Sequence, residues 1–307
     1  MKCRHCGVKA VINLKEHKLG LCKEHYLEWF KAYTEKTIHK FKMIAPDDRV
    51  LVAVSGGKDS LALWDVLNEL GYETTGLYIN LGIHEGDYSN QSHAKSLAFS
   101  ERIGRELRVI DVPDEVGAGI PELRTITRRP VCSVCGMTKR YYMNKAAIEG
   151  GATVLATGHN LDDEVSQLFG NVMNWQMDYL AQQNPSMPAR EEGLSRKVKP
   201  FCRFTEKQTL LYTLLKGIDY VEMDCYFSHG ATSIANKELL NQLEHRSPGT
   251  KRRFYDGFLK NRGLFSTADG NKVELKRCEQ CGMPTVNDVC SFCHTVNKVK
   301  SASKAAV

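Results

Sequence analysis

The stretch Arg49-Val50-Leu51-Val52-Ala53-Val54-Ser55-Gly56-Gly57-Lys58-Asp59-Ser60 decides the fold. Residues 50–54 form a short, unbroken apolar run, the pattern of a strand buried on both faces of a parallel sheet. Two glycines then supply a tight turn, and residues 60–70 read as a helix that begins at once. A strand–turn–helix of this kind aims several backbone N–H groups at one point, beside the positive end of a helix dipole. That point suits a pyrophosphate. Neither G-x-x-x-x-G-K-S/T nor G-x-G-x-x-G is present, so a different nucleotide chemistry is indicated.

Outward from this turn the pattern alternates. Residues 74–79, 108–112 and 153–157 read as strands, and 93–107, 135–149 and 162–175 as helices. Such βαβ units imply an α/β fold with a parallel sheet and helices on both faces. Right-handed crossovers bring the loops after the strands to one edge. The 55–60 turn, the 80–86 loop and the 158–163 turn are therefore expected to meet. Residues 176–200 are polar and punctuated and read as a mobile loop or hairpin. Helices at 206–216, 232–243 and 250–261 form an expected appendage, and the tail after His294 is expected to be disordered.

At 307 residues the chain accommodates one large core with small attachments. No apolar stretch approaches the ~20 residues that span a bilayer, and Met1-Lys-Cys-Arg-His-Cys lacks a signal-peptide core. A cytoplasmic protein with no membrane association is expected. The net charge of +6 is a weak pointer to a polyanion. Its clustering says more: Arg124, Arg128 and Arg129 precede a cysteine pair, and Lys139 and Arg140 follow it. His245-Arg246 and Lys251-Arg252-Arg253 form a second cluster. Each cluster alone reads as solvated helix and loop charge, but basic groups around a reactive site favour nucleic acid.

Eleven cysteines in three spaced groups read as metal binding, not as a disulfide framework. Cys3-x2-Cys6 with Cys22-x2-His25, and Cys278-x2-Cys281 with Cys290-x2-Cys293, each supply four donors on tight turns for a tetrahedral zinc ion. Closed four-ligand sites are structural, so the two modules dock a partner or cap the termini; His5 and His294 read as bystanders. Three units are expected: a zinc finger at 1–30, a catalytic domain at 31–271 with its helical appendage from about 200, and a zinc finger with basic tail at 272–307. The middle pair, Cys132-x2-Cys135, needs help from elsewhere, with Cys202 and Cys225 the remaining thiols. A third, four-cysteine zinc and a three-cysteine iron–sulfur cluster with an open iron both fit these residues.

Ser55-Gly-Gly-Lys-Asp-Ser60 resembles the PP-loop of the ATP pyrophosphatase superfamily, also called adenine nucleotide alpha hydrolase-like. With Cys132-x2-Cys135-Gly-x2-Lys139-Arg, Gly158-His-Asn-Leu-Asp-Asp-Glu164, a lone Cys225 and zinc modules at both ends, nearly the whole chain is similar to the TtuA-type tRNA 2-thiouridine synthetases. The resemblance implies that Ser55, Gly56, Gly57, Asp59 and Ser60 hold the phosphates of ATP. Ala53, Ile79 and Gly158 would line the nucleotide pocket. It implies a [4Fe-4S] cluster on Cys132, Cys135 and Cys225, zinc in both terminal sets, and Mg²⁺ with the ATP. Lys139 and Asp163 would be catalytic: Lys139 supplies charge where phosphate and oxyanion develop it, and Asp163 orients Mg²⁺ or moves a proton. Asp163 otherwise reads as a helix N-cap, a role Asp162 fills better; Lys58 touches phosphate or solvent, and Cys202 is a small buried hydrophobe.

The implied reaction is transfer of AMP to the uracil C2 oxygen, followed by its displacement by sulfur from sulfide or a ubiquitin-like thiocarboxylate carrier. The implied partner is tRNA, thiolated at uridine 54, and relatives of this kind form homodimers. Thiolation of the wobble uridine at position 34 is the alternative. A PP-loop ligase or amidotransferase on a small metabolite, and a non-catalytic zinc-dependent RNA-binding protein, stand further off.

Overall fold

A computed structural model of the protein describes residues 1–190, 193–223, 225–228, 232–265 and 275–305. The N-terminal module pairs β1 (Ile12–Leu14) antiparallel with β2 (Leu19–Leu21), and Cys22 leads into α1 (Lys23–Lys40). Then β3 (Arg49–Val54) runs into α2 (Lys58–Glu69), and β4 (Glu73–Asn80) into α3 (Tyr88–Ile103) and β5 (Leu107–Asp111). Three helices follow, α4 (Val112–Val116), α5 (Ile120–Thr127) and α6 (Val131–Glu149), before β6 (Val154–Thr157) and α7 (Leu161–Met173). Next come α8 (Met177–Gln182), β7 (Ser186–Met187) and β8 (Arg196–Val198), then α9 (Glu206–Leu215), α10 (Thr232–Arg246) and α11 (Thr250–Asn261). The C-terminal module pairs β9 (Lys276–Arg277) with β10 (Pro284–Thr285) and ends in α12 (Ser291–Ala305).

The central sheet has the order β5–β4–β3–β6–β8–β7, parallel except where β7 runs antiparallel to β8. It is the α/β architecture that the alternating pattern predicts. Strand order reverses at β3, which lies between β4 and β6, and a crevice opens at such a switch point beyond the strands' C-terminal ends. The period of two in β3 sorts its side chains. Val50, Val52 and Val54 enter the core shared with α1, α2, α7 and α9, whereas Leu51 packs with Leu77, Leu155 and Ala146 and Ala147 of α6 on the other face. Helices thus cover both faces, and the Ser55 turn emerges between them.

Three segments depart from expectation. Residues 176–200 hold the hairpin that is one of the two expected forms, β7–β8, but it extends the sheet from β6 and is preceded by the unexpected helix α8. The helix expected at 93–107 begins five residues earlier, at Tyr88, and ends where Gly104 turns left-handed at φ 62°. The tail after His294 continues α12, whose Val299 is buried against the core that contains Val134 and Tyr142 of α6. Among the described residues no helix is long and apolar enough to cross a membrane.

Candidate functional site at the sheet's C-terminal edge

The loop after β3 is built for an anion. Gly56 sits at φ +74°, and a Cβ there would stand 2.5 Å from the Ser92 carbonyl oxygen. Gly57 is the N-cap of α2 and carries no side chain that could cap the first amides, so these stay available to a ligand. Ser60 Oγ locks the turn, donating to the Gly57 carbonyl (3.0 Å) and accepting the Ser55 N–H (3.1 Å).

Beside the loop lies a small cavity of about 80 Å³ lined by Ala53, Ser55, Ile79, Tyr88, Lys139 and Met143, among others. Ala53, Ser55, Ile79 and Lys139, picked out from the sequence, thus converge on one space of nucleotide character: apolar walls, with one cation at its edge. Gly158 does not line this cavity. It presses on the other side of the loop, where a Cβ would be 2.8 Å from the Asp59 carbonyl carbon. The close approach explains the glycine and brings His159 to the mouth of the crevice, its Nδ1 2.7 Å from Thr157 Oγ1.

The cap of α7 differs from expectation. Asn160, not Asp162 or Asp163, is the N-cap; its Oδ1 accepts the amides of Asp162 (2.9 Å) and Asp163 (3.2 Å). Asp163 closes the capping box by accepting the Asn160 N–H (3.1 Å), and its other oxygen meets Lys237 Nζ at 2.6 Å. Burial works to raise the Asp163 pKa, but Lys237 and His159 outweigh it and hold the carboxyl below its ordinary range. Asp162 turns inward instead, where it accepts the first amide of α9 from Glu206 (2.8 Å) and pairs with buried Lys251. Lys251 therefore leaves the basic surface cluster in which the sequence places it.

Two further charged residues went unnoticed in the sequence. Glu206, at the start of α9, bridges Lys58 (2.7 Å) and Lys237 (3.5 Å), and Lys58 also contacts Asp59 (3.1 Å). Lys58 is thus directed at carboxylates of the site. Burial would lower its pKa, yet Asp59 and Glu206 raise it, so it stays charged. Asp59, whose pKa burial raises, is held by the Thr209 hydroxyl and by Asn160 Nδ2 at 3.3 Å. No local motif marks Glu206 or Lys237, because Glu206 reaches Lys58 of the loop from α9, and Lys237 reaches Asp163 and Glu206 from α10, both far along the chain.

The four donors Cys3, Cys6, Cys22 and His25 lie together, as do Cys278, Cys281, Cys290 and Cys293. Cys6 and Cys22 sulfurs are 3.7 Å apart, as are those of Cys281 and Cys290, matching the edge of a tetrahedron with metal–sulfur bonds of about 2.3 Å. His5 stacks on His25 with ring centroids 5.1 Å apart and is not one of the donors. The middle thiols are arranged otherwise. Cys132, Cys135 and Lys139, at i, i+3 and i+7, share one face of α6. Burial raises the Cys135 pKa; Lys139 opposes this, while Cys225 and Cys132 act in the same direction as burial. Three thiols within electrostatic reach, yet not in a tight four-donor group, fit a cluster whose irons sit at separate corners better than a single ion. Cys202 is wholly buried in the main core and has no part in this set.

Cys225 also lines a second cavity with Gly57, Lys58, Asp59, Glu206 and Tyr88. Tyr88 lines both spaces, so the phosphate loop has the nucleotide cavity on one side and the cysteine side of the crevice on the other.

The PP-loop domain family matches residues 30–225, and the N-terminal LIM domain of the 2-thiouridine synthetase TtuA matches residues 2–27. The tRNA-5-methyluridine(54) 2-sulfurtransferase of Thermus thermophilus is 48% identical over 99% of this chain and 94% of its own length. That of Pyrococcus horikoshii is 42% identical over 95% and 93%. The structure of the U34-tRNA thiolase NcsA from Methanococcus maripaludis with its [4Fe-4S] cluster superposes with a TM-score of 0.81 at 25% identity, covering 97% of this chain and 96% of that one. With its family domain spanning residues 30–225 and its likeness to these transferases end to end, the chain belongs to the TtuA-type tRNA 2-thiouridine synthetases of the PP-loop superfamily.

Proposed function

We propose that the protein is a tRNA-uridine 2-sulfurtransferase that thiolates uridine 54. ATP bound by Ser55, Gly56, Gly57, Asp59 and Ser60, with Ala53 and Ile79 lining its pocket and Gly158 packed behind the phosphate loop, transfers AMP to the C2 oxygen and releases pyrophosphate with Mg²⁺. Sulfur then displaces AMP. One observation carries this reading: α6 presents Cys132, Cys135 and Lys139 on one face, so the cation at the nucleotide cavity and two thiols of the sulfur site lie on one helix, only one or two turns apart.

Each residue has a task that its chemistry supports. Lys139 balances negative charge developing on the phosphates, and Asp163, kept ionised by Lys237, orients the reacting groups. When bound, a [4Fe-4S] cluster on Cys132, Cys135 and Cys225 supplies an open iron for the incoming sulfur. Zinc in the two terminal sets closes the modules at 1–30 and 272–307 around the catalytic unit at 31–271. The groove between α5 and α12, lined by Arg128, His294 and Lys298, supports a path for tRNA phosphates. Sulfide or a thiocarboxylate carrier serves as donor, and a cytoplasmic homodimer is the working form.

Relatives at 48% and 42% identity are named for position 54, whereas the U34-tRNA thiolase NcsA of Methanococcus maripaludis is 25% identical; this gradient favours position 54 over the wobble base. Nucleoside analysis of tRNA from a deletion strain tests the assignment, with loss of 2-thiolation expected at uridine 54. Loss confined to position 34 overturns it. Anaerobically purified protein is expected to be brown, with about four irons and two zincs per chain; a colourless protein with three zincs refutes the cluster.

A further inference from the structure

Uracil O2 is a carbonyl oxygen conjugated with N3–H. Its attack on the α-phosphorus leaves positive charge in the N3–C2–O2 unit unless the N3 proton departs. Adenylation therefore needs a base as well as an electrophile, and the proposed site residues include no good one. Asp163 is committed to Lys237 and to the Asn160 amide and is held below the usual carboxylate range. Glu164 is engaged by Lys199 (2.6 Å) and by the Tyr255 hydroxyl (2.9 Å) in the interior. Lys139 is a cation.

Asp59 is tied to Lys58, the Thr209 hydroxyl and Asn160 Nδ2, which leaves His159. It follows Gly158, whose backbone presses on Asp59 of the phosphate loop, and its side chain is open to solvent at the crevice. Nδ1 faces Thr157 Oγ1 at 2.7 Å, which fixes the ring, while Nε2 has no hydrogen-bond partner among the described residues. With the proton on Nδ1 and donated to Thr157, the Nε2 lone pair is free.

We propose that His159 is a catalytic base of the adenylation step, taking the uracil N3 proton on Nε2. The inference rests on the adenylation chemistry proposed above. As the proton leaves N3, the N3–C2 bond gains double character and the O2–Pα bond forms. The bond from Pα to the bridging oxygen breaks, and its electron pair departs with pyrophosphate. The products are a neutral O2-adenylylated imidate ring, pyrophosphate and imidazolium; ATP is the only co-reactant. The groups facing His159 suit the task. Lys199 and Lys139 favour the neutral ring, while Asp163 and Glu164 favour the imidazolium.

The test is single-turnover pyrophosphate release with no sulfur donor, using anaerobically purified holoenzyme and tRNA. His159→Asn keeps a polar atom for Thr157 but removes Nε2. It is expected to slow release roughly 100- to 10,000-fold, with iron content and the Kd for ATP unchanged, the two measurements that establish a folded site. A second tRNA carries 5-fluorouridine at the target, whose N3–H is more acidic and needs less help; here the defect of His159→Asn is expected to shrink at least tenfold. Release at the parent rate, or an equal defect on both tRNAs, overturns the assignment of His159. Failure of the unsubstituted protein to release pyrophosphate with tRNA overturns the adenylation reading itself, and the base with it.

Discussion

Lys251 and Asp162 form an ion pair in the interior, with side chains only 3% and 5% exposed. Lys251 also donates to Asn241, and Asp162 accepts the Glu206 amide, so α7, α9, α10 and α11 meet at these two residues. Two charges out of water gain little net stability over apolar substitutes, but removing one strands the other. Lys251→Met is therefore expected to cost about 3–5 kcal/mol, read as a lower urea midpoint at unchanged slope. Lys251→Met combined with Asp162→Asn should recover most of it, because the neutral amide still accepts from Glu206. A single substitution that leaves the midpoint in place would show the pair to be dispensable. The pair also matters for position: Glu206, which it anchors, is the carboxylate that directs Lys58.

At the scale of the element, the β3–α2 junction makes two adjacent glycines unequal. Gly56 has φ +74° and backbone of α3 2.5 Å from its missing Cβ, whereas the nearest atom to a Gly57 Cβ is Ser55 Oγ at 3.6 Å. Gly56→Ala is expected to cost about 2 kcal/mol or more, from left-handed strain and the clash with Ser92 together. Gly57→Ala should cost under about 1 kcal/mol, the difference between two uncharged N-caps. Thermal unfolding without nucleotide separates them, and equal shifts would contradict the geometry. This junction was legible because its signals are local: an apolar run, then Gly-Gly, then helix periodicity. The elements that escaped notice lack such signals. β8 reads Arg-Lys-Val, and only its pairing with β6 and β7 makes it a strand. α12 looks like a basic tail until Val299 meets α6. Glu206 and Lys237 become site residues through packing of α9 on α2 and of α10 on α7, which no nearby residue announces. The cap of α7 is ambiguous in the sequence because the four consecutive residues 160–163 include three good cappers, Asn160, Asp162 and Asp163; tertiary partners decide among them.

At the scale of the whole molecule, the terminal modules are continuous with the cores and not beads on linkers. Cys3, Leu14, Leu21 and Cys22 belong to the same buried cluster as Phe30, Val52 and Phe204, and the Tyr26 hydroxyl donates to the Gln208 carbonyl at 2.7 Å. The C-terminal module is set against α6: Phe292 stacks on Tyr141 with ring centroids 3.8 Å apart and meets the edge of Tyr142. The same helix carries Cys132, Cys135 and Lys139 on a neighbouring face. Metal bound by the Cys278–Cys281–Cys290–Cys293 set would therefore help hold the helix that carries the proposed sulfur site, since metal binding free energy is folding free energy for a small module. Cys281→Ala is expected to speed amide hydrogen exchange across residues 131–149 and to lower iron content after anaerobic purification. Exchange in residues 58–69 should stay unchanged, because α2 is braced by the opposite core. Phe292→Ala, which leaves all four thiols in place, should reproduce the faster exchange in α6 in milder form, separating loss of packing from loss of a ligand. Protection of α6 that is indifferent to both substitutions would mean that the C-terminal module only rests on the helix, and that α6 is positioned by the sheet and α5 alone.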